Sequence, residues 1–464
     1  MTETPVLPIV RVAVLAYGRI TDVALPAELP LREILPAVKR LVPASESDED
    51  STSPVPMTLA PIGGAPFSID ASLDTVGVVD GDLLALQPVP VGPTSPGVVE
   101  DIADAAVIFS AARKRPWGPH RLQVGARLAA GAFVVALSAV AVTHRAVTAS
   151  TIGLYAVAAL AVLTAVTGLV LRARSARLAT QVSAAALLPI ASAFWLAVPG
   201  LWGAPHVMLA AAGVAAWSLI VLTQTEDGVG FFTAAAVVGL GALVVAGASA
   251  LWQLPARTVG CALILAALLL TVSAPALAAM WARFPLPVIP APGDPTPSSA
   301  AARLLADLPR RVRVGEAHQN GVIAGSVLLA SAGSMIVAGR TEGPGVWGWY
   351  LVAGAASAAV LRARVWDTAA CKGWLLAQPF LVTTGLLVAF AVAHRFVPAL
   401  WTLVVLGALT VAWVVIAVSP DAAAAERYSL PVRRLVGFVA VGLDASLIPV
   451  MAYLVGVFAW VLDR

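Results

Sequence analysis

The chain has 464 residues, of which 59% are hydrophobic and 12% charged, and its mean hydropathy is +0.89. Soluble domains carry about 25% charged residues, so no water-facing globule can bury this much apolar surface, and lipid must be the solvent for most of it. The net charge of +3 is too small to hold nucleic acid, and two cysteines, Cys261 and Cys371, offer neither a disulfide framework nor a metal-ligand spacing.

The N-terminus, MTETPVLPIV, has no basic region followed by an apolar one, so no cleavable signal is expected. VRVAVLA, residues 10–16, reads as a strand, and ITDVAL, 20–25, as a second, with Tyr17, Gly18 and Arg19 turning between them. LPLREILPAVKRLV, 29–42, puts Leu31, Ile34, Leu35, Val38, Leu41 and Val42 on one helical face, with Pro36 set to shorten or kink the helix. After an acidic, polar stretch, 43–53, MTLAPIGG and PFSID suggest further strands. GVVDGDLLALQPV, 77–89, adds a tight Asp80-Gly81 turn and a last strand. Two strands, a helix and more strands within residues 1–90 make an α+β ubiquitin-like (β-grasp) domain. Its end runs into PVPVGPTSPG without a free Gly-Gly, so it cannot be a conjugated modifier and is expected to be a docking surface.

Residues 91–121 read as a linker. PGVVEDIADAAVIFSAARKR has Ser95 as a candidate cap, Pro96 in the first turn, Glu100 and Asp101 at the positive end of the dipole, and a stripe from Val98 to Phe109. It is either a helix packed on its own domain or one that joins a partner's helices. The basic segment RKRPWGPHR then supplies Arg113, Lys114 and Arg115 before the membrane.

From residue 122 to 464 the chain reads as an all-α polytopic membrane domain. Eleven runs reach the roughly 20 residues that cross about 30 Å of hydrocarbon: 122–142, 150–171, 178–199, 205–223, 229–249, 258–281, 319–339, 345–361, 373–393, 397–418 and 435–461. With the N-terminus inside, eighteen flanking Lys and Arg lie on the cytoplasmic side and five outside. This bias predicts a cytoplasmic N-terminus and a periplasmic C-terminus. Tryptophans near span ends, Trp117, Trp202, Trp252, Trp347, Trp349 and Trp401 among them, fit interfacial anchoring.

LVLRARSARLA, from 169, and AVLRARVWDTA, from 359, nearly repeat. Arg172 and Arg174 match Arg362 and Arg364 at an offset of 190 residues, at which Pro189 also matches Pro379. The copies follow spans two and eight, so they share an orientation, which implies a parallel rather than an inverted repeat. The paired arginines read first as topology signals on two equivalent cytoplasmic turns. A second reading has them, with Arg113, Lys114 and Arg115, gripping a partner or lipid headgroups. The loop at 282–318 holds a stiff proline-rich linker and a short amphipathic helix, AAARLLADLPRRVR, expected to bridge two helical halves or lie at the membrane surface.

Chemistry inside a membrane normally shows as costly ionisable groups, and here they are few. Asp444, in VAVGLDASLIPV, lies about ten residues into the last span and is the one clear intramembrane carboxylate. It is either a proton- or cation-coupling group or an aspartate bonded to a neighbouring helix or facing a water pocket. The five histidines have no metal spacing, and no phosphate-binding loop, HExxH or nucleophile elbow occurs. No catalytic residue, cofactor or metal is expected. Ala235 with Gly239, and Ala242 with Ala246, stand at the four-residue spacing that permits close helix packing.

VRVAVLAYGRITDVALP and GVVDGDLLALQP in front, RKRPWGPHR at the junction and eleven spans behind resemble the EccD family along essentially the whole chain. That family is the polytopic component of the type VII (ESX) secretion system of mycobacteria, and the chain looks nearest to the paralogue of the iron-acquisition-linked system. The resemblance implies a non-enzymatic inner-membrane subunit that pairs with a second copy around a lipid-filled cavity. It also implies contact between the ubiquitin-like domain and the ATPase EccC, with EccB and EccE completing the assembly. It carries no catalytic residue. The alternative is a secondary transporter of major-facilitator-like plan, suggested by the parallel halves and basic turns. An odd span number and the fused front domain count against it.

Overall fold

The computed structural model describes residues 8–16, 19–41, 57–88, 118–283, 299–339, 343–419 and 429–462. The chain divides into two units, Met1–Trp117 and Gly118–Arg464.

In the first unit, β1 (Ile9–Ala16) and β2 (Arg19–Pro26) pair antiparallel, α1 (Leu31–Leu41) follows, and β3 (Met57–Pro61) and β4 (Leu83–Pro88) complete a sheet of order β2-β1-β4-β3. β4 runs parallel to β1, with Val14 opposite Leu84. This is the β-grasp arrangement: α1 covers one face and buries Leu31, Ile34, Leu35 and Val38 among Val12, Val14, Val23, Leu25, Leu59 and Leu84. Pro36 is accommodated without ending the helix. Leu41, expected on the buried face, is 56% exposed, because it sits in the last turn beyond the sheet's cover. Val42 and the turn at Tyr17 and Gly18 lie outside the described residues. PFSID forms no strand. It is tied to β3 by the Phe67 amide donating to the Leu59 carbonyl (2.9 Å) and by Thr58 Oγ1 donating to the Phe67 carbonyl (2.9 Å), and to α1 by the Arg32 amide donating to the Ile69 carbonyl (2.9 Å) and the Arg32–Asp70 ion pair (3.0 Å).

The second unit holds eleven helices long and apolar enough to cross a membrane, among the described residues. They are α2 (Pro119–Thr148), α3 (Ile152–Leu171), α4 (Ala176–Ala197), α5 (Ala204–Leu222), α6 (Val229–Trp252), α7 (Ala256–Trp281), α8 (Ser299–Ala338), α9 (Gly345–Arg362), α10 (Ala369–Val392), α11 (Phe396–Val418) and α12 (Leu430–Val455). A short α13 (Val457–Leu462) follows Gly456, whose φ of 85° ends α12 in the left-handed region. The last span therefore begins five residues earlier than its hydropathy suggested and breaks at Gly456.

The central loop differs most from expectation. Residues 299–318 are neither a loop nor a separate surface helix but the start of α8, a single 40-residue helix. At 1.5 Å per residue it is about 60 Å long, roughly twice the hydrocarbon thickness. Its charged first part thus extends beyond the bilayer, and an i,i+4 pair, Arg311 Nε to Asp307 Oδ2 at 2.8 Å, supports it there. The proline-rich linker at 284–298 lies outside the described residues.

α8 is the axis of the unit, packing on α6, α7, α9 and α10. In its most apolar stretch 78% of the residues are buried, against 6% for α11. Glycines make this possible. A Cβ on Gly333 would lie 2.9 Å from Ile264 Cγ1 on α7, and one on Gly325 would lie 2.6 Å from Val237 Cγ1 on α6. Gly239, marked out from sequence, is also a close crossing: its Cβ would stand 2.8 Å from the Ala215 nitrogen on α5.

Pro189 and Pro379 are both buried, inside α4 and α10, but the two halves pack differently. α6 packs on α5 and α8, whereas α12, its counterpart under the 190-residue offset, packs chiefly on α9 and α7.

Candidate functional site

The membrane unit contains one well-defined ionic arrangement within its spans among the described residues. Arg362, the last residue of α9, meets Asp444, midway along α12. Arg362 Nε donates to Asp444 Oδ2 at 3.1 Å and Nη2 donates to Oδ1 at 2.8 Å. This two-pronged geometry matches a planar guanidinium to a carboxylate. Their side chains are 15% and 36% exposed.

The direction of the arginine is informative. On α9, Gly354 faces Leu443 and Leu447 of α12. Arg362 is eight residues further along, about 12 Å toward the C-terminal end of α9, yet its guanidinium reaches back to Asp444. A long side chain at a helix end would ordinarily snorkel outward to water. This one turns into the membrane. It also lines a cavity of about 10 Å³, the size of one water, together with Thr271, Ser326 and Gln378. A second polar tie joins the same helices, where the Tyr350 and Ser446 hydroxyls lie 2.6 Å apart.

The other candidate residues are not brought to this site. Arg172, Arg174 and Arg364 are exposed. Arg172 is hydrogen-bonded to the Gln224 side chain in the turn after α5. Arg364 Nε donates to the Leu361 carbonyl at 3.0 Å. Arg113, Lys114 and Arg115 lie outside the described residues. The LRAR copies share a sequence but not a role, since Arg172 remains at the surface while Arg362 is inserted. Sequence reading singled out both Arg362 and Asp444 and did not connect them. The available signal was that an arginine at a span end and a carboxylate within another span offset each other's cost.

Beyond the span ends, Glu226 in the α5–α6 turn forms an ion pair with Arg310 of α8, and Arg310 Nε stands 3.1 Å from Glu226 Oε2. Arg311 reaches the Arg283 carbonyl at the end of α7. The hydrogen bond from Arg310 holds Glu226 below the usual carboxylate range. The pair therefore contributes at neutral pH and is lost as pH falls through and below that range. Both side chains are more than half exposed. Glu226→Gln should accordingly shift the melting midpoint at pH 7 by less than about 1 °C, which thermal unfolding in detergent would check.

His318, within α8, has Nδ1 2.8 Å from Thr233 Oγ1 and its ring against Trp281. Cys261 and Cys371 are free and buried. Among the described residues no three His, Cys, Asp or Glu side chains converge on a point that could hold a metal ion.

In the first unit the Asp80-Gly81 turn locks β1 to β4. The Arg11 amide donates to Asp80 Oδ1 at 2.6 Å, and the Gly81 amide, at φ 93°, returns a bond to the Arg11 carbonyl at 2.8 Å. Strand alternation puts Ala13, Leu15, Ile20 and Leu83 on the sheet face opposite α1. Ile20 is 62% exposed. Arg11 and Asp22 stand on the same face, which is therefore mixed in character.

Known proteins agree with both units. Residues 122–463 match the family model described as the EccD-like transmembrane domain, and residues 9–86 match that of the WXG100 protein secretion system (Wss) protein YukD. The chain is 59% identical over 468 residues to the ESX-3 secretion system protein EccD3 of Mycobacterium tuberculosis, covering 99% of each chain. It is 57% identical to the EccD3 protein of Mycolicibacterium smegmatis over the full length of both. A solved chain described as protomer 1 of the ESX-3 core complex is 56% identical, with a TM-score of 0.69 over 98% of this chain and 100% of that one. With the spans, the β-grasp front unit and full-length similarity in agreement, the chain belongs to the EccD family.

Proposed function

We propose that this chain is the polytopic, non-enzymatic membrane subunit of an ESX-3-type secretion complex in the inner membrane. The observation that carries this reading is the full-length likeness, at 56% identity, to a protomer of the ESX-3 core complex. The eleven helices act as a frame. The front unit docks the ATPase component EccC in the cytoplasm through its open sheet face, and EccB, EccE and a second copy of the chain complete the assembly. The Lys and Arg bias supports a cytoplasmic N-terminus and a periplasmic C-terminus. The pairing of Arg362 with Asp444 also supports a frame, because it uses the prominent intramembrane charge within the protein. The exposed Arg172, Arg174 and Arg364, with Arg113, Lys114 and Arg115, are proposed contacts for partners or anionic headgroups.

Purification of the tagged chain from its native membrane in mild detergent, followed by mass identification, tests this. EccB, EccC, EccE and a second copy should be recovered. Deleting residues 1–95 should remove EccC while the spans stay inserted. Full recovery of EccC with the deleted chain would place the docking surface elsewhere. Solute uptake by the purified chain alone in liposomes would replace the scaffold with a transporter.

A further inference from the structure

We propose that Arg362 and Asp444 form a charge clamp that seats the last span, α12, on α9 and fixes its register. Apolar packing alone gives α12 little to hold: only 11% of its most apolar stretch is buried, and its buried residues are Leu447, Val450 and Met451. Those contacts are with surfaces as apolar as lipid, which does little to distinguish one rotation of a helix from another. The polar contacts do distinguish them. Asp444 meets Arg362, Ser446 meets Tyr350, and Leu443 and Leu447 straddle the gap left by Gly354. Sliding α12 by one residue would rotate Asp444 by about 100°, away from the guanidinium and into hydrocarbon.

The reach of Arg362 supports a clamp over a chance contact. An arginine at the cytoplasmic end of a span has water available. It is held inward instead by a carboxylate that would otherwise be uncompensated in the membrane. Arg362 also borders the water-sized cavity, whose polar lining residues Thr271, Ser326 and Gln378 each donate to a backbone carbonyl. Buried polar groups of this kind are best attested as devices that specify register. This inference concerns how the membrane unit is built and does not depend on its partners.

The seating can be read in the full-length chain, with Cys261 and Cys371 replaced by alanine and Gly354→Cys and Leu447→Cys introduced, by the rate of oxidative crosslinking. Melting of the full-length chain without the reporter cysteines provides the second readout. Asp444→Asn and Arg362→Gln should each slow crosslinking by about fivefold or more and lower the melting midpoint by about 5 °C or more. The exchanged pair, Arg362→Asp with Asp444→Arg, should return crosslinking to within about twofold of the parent and recover most of the lost melting midpoint. Should the single variants fail to accumulate, the neutral pair Arg362→Met with Asp444→Leu decides. Crosslinking slowed by about fivefold or more in that pair supports the clamp, and near-parental crosslinking overturns it. Parental crosslinking and melting in Asp444→Asn would also overturn it. The same result combined with lost export would assign Asp444 to ion coupling instead.

Discussion

Gly333→Val should lower the melting midpoint of the membrane unit by several degrees or prevent the chain from accumulating. Gly333 and Gly260 face each other where α8 crosses α7. A Cβ on Gly260 would lie 2.8 Å from the Gly333 carbonyl oxygen, and one on Gly333 would lie 3.1 Å from Leu263 Cβ. The obstacle on the Gly260 side is backbone, which cannot swing aside as a long side chain can. Overpacking ordinarily costs about 1–3 kcal/mol, and here relief requires the two helices to part. α8 also holds α6, α9 and α10, so displacement at one crossing spreads to others. Gly407, on α11, is the control: nothing lies within 4 Å of its Cβ position, and Gly407→Ala should melt as the parent does. If Gly333→Val matched that control, the close α7–α8 crossing would be refuted.

The second large effect is expected in the front unit, where Leu84→Ala should loosen the β-grasp fold and leave the spans in place. Leu84 is 2% exposed, stands opposite Val14 in the parallel β1–β4 pairing, and packs within the core under α1. Truncating such a leucine costs about 2–5 kcal/mol. A small domain has only about 5–15 kcal/mol in total. Limited proteolysis of the full-length chain should therefore cut the front unit several-fold faster while the membrane unit stays intact. EccC recovery should fall with it if that unit is the docking site. Unchanged proteolysis would mean that the β1–β4 pairing does not support the fold as drawn.

Local patterns were legible in proportion to their length. The strands at 9–16 and 19–26 follow from runs of β-branched and aliphatic residues, and each of the eleven spans follows from its hydropathy. PFSID misled because proline and phenylalanine next to a turn resemble a short strand, whereas Phe67 reaches β3 through one backbone and one side-chain hydrogen bond and no ladder forms. The central region misled because AAARLLADLPRRVR, ending in basic residues, reads as a short helix of its own, whereas α8 continues through it into the span. Ion pairs to Glu226 and within the helix accommodate those charges outside the bilayer.

The glycines show the same limit. The spacing of Ala235 and Gly239 was visible, and Gly239 does meet α5 closely. Gly321, Gly325 and Gly333 stood out no more than many others in an Ala- and Gly-rich span. Their importance comes from α8 being the axis of the unit.

By itself, the sequence determined that most of the chain dissolves in lipid as helices, that a β-grasp domain precedes them, and that a sign bias runs across the membrane. These properties depend on residues near one another in the chain, summed over a strand or a span. Only the tertiary structure decided that Arg362 turns inward to a carboxylate 82 residues away while its copy, Arg172, stays at the surface. That choice depends on the rotation and depth of α12 against α9, and no periodicity within either helix encodes it.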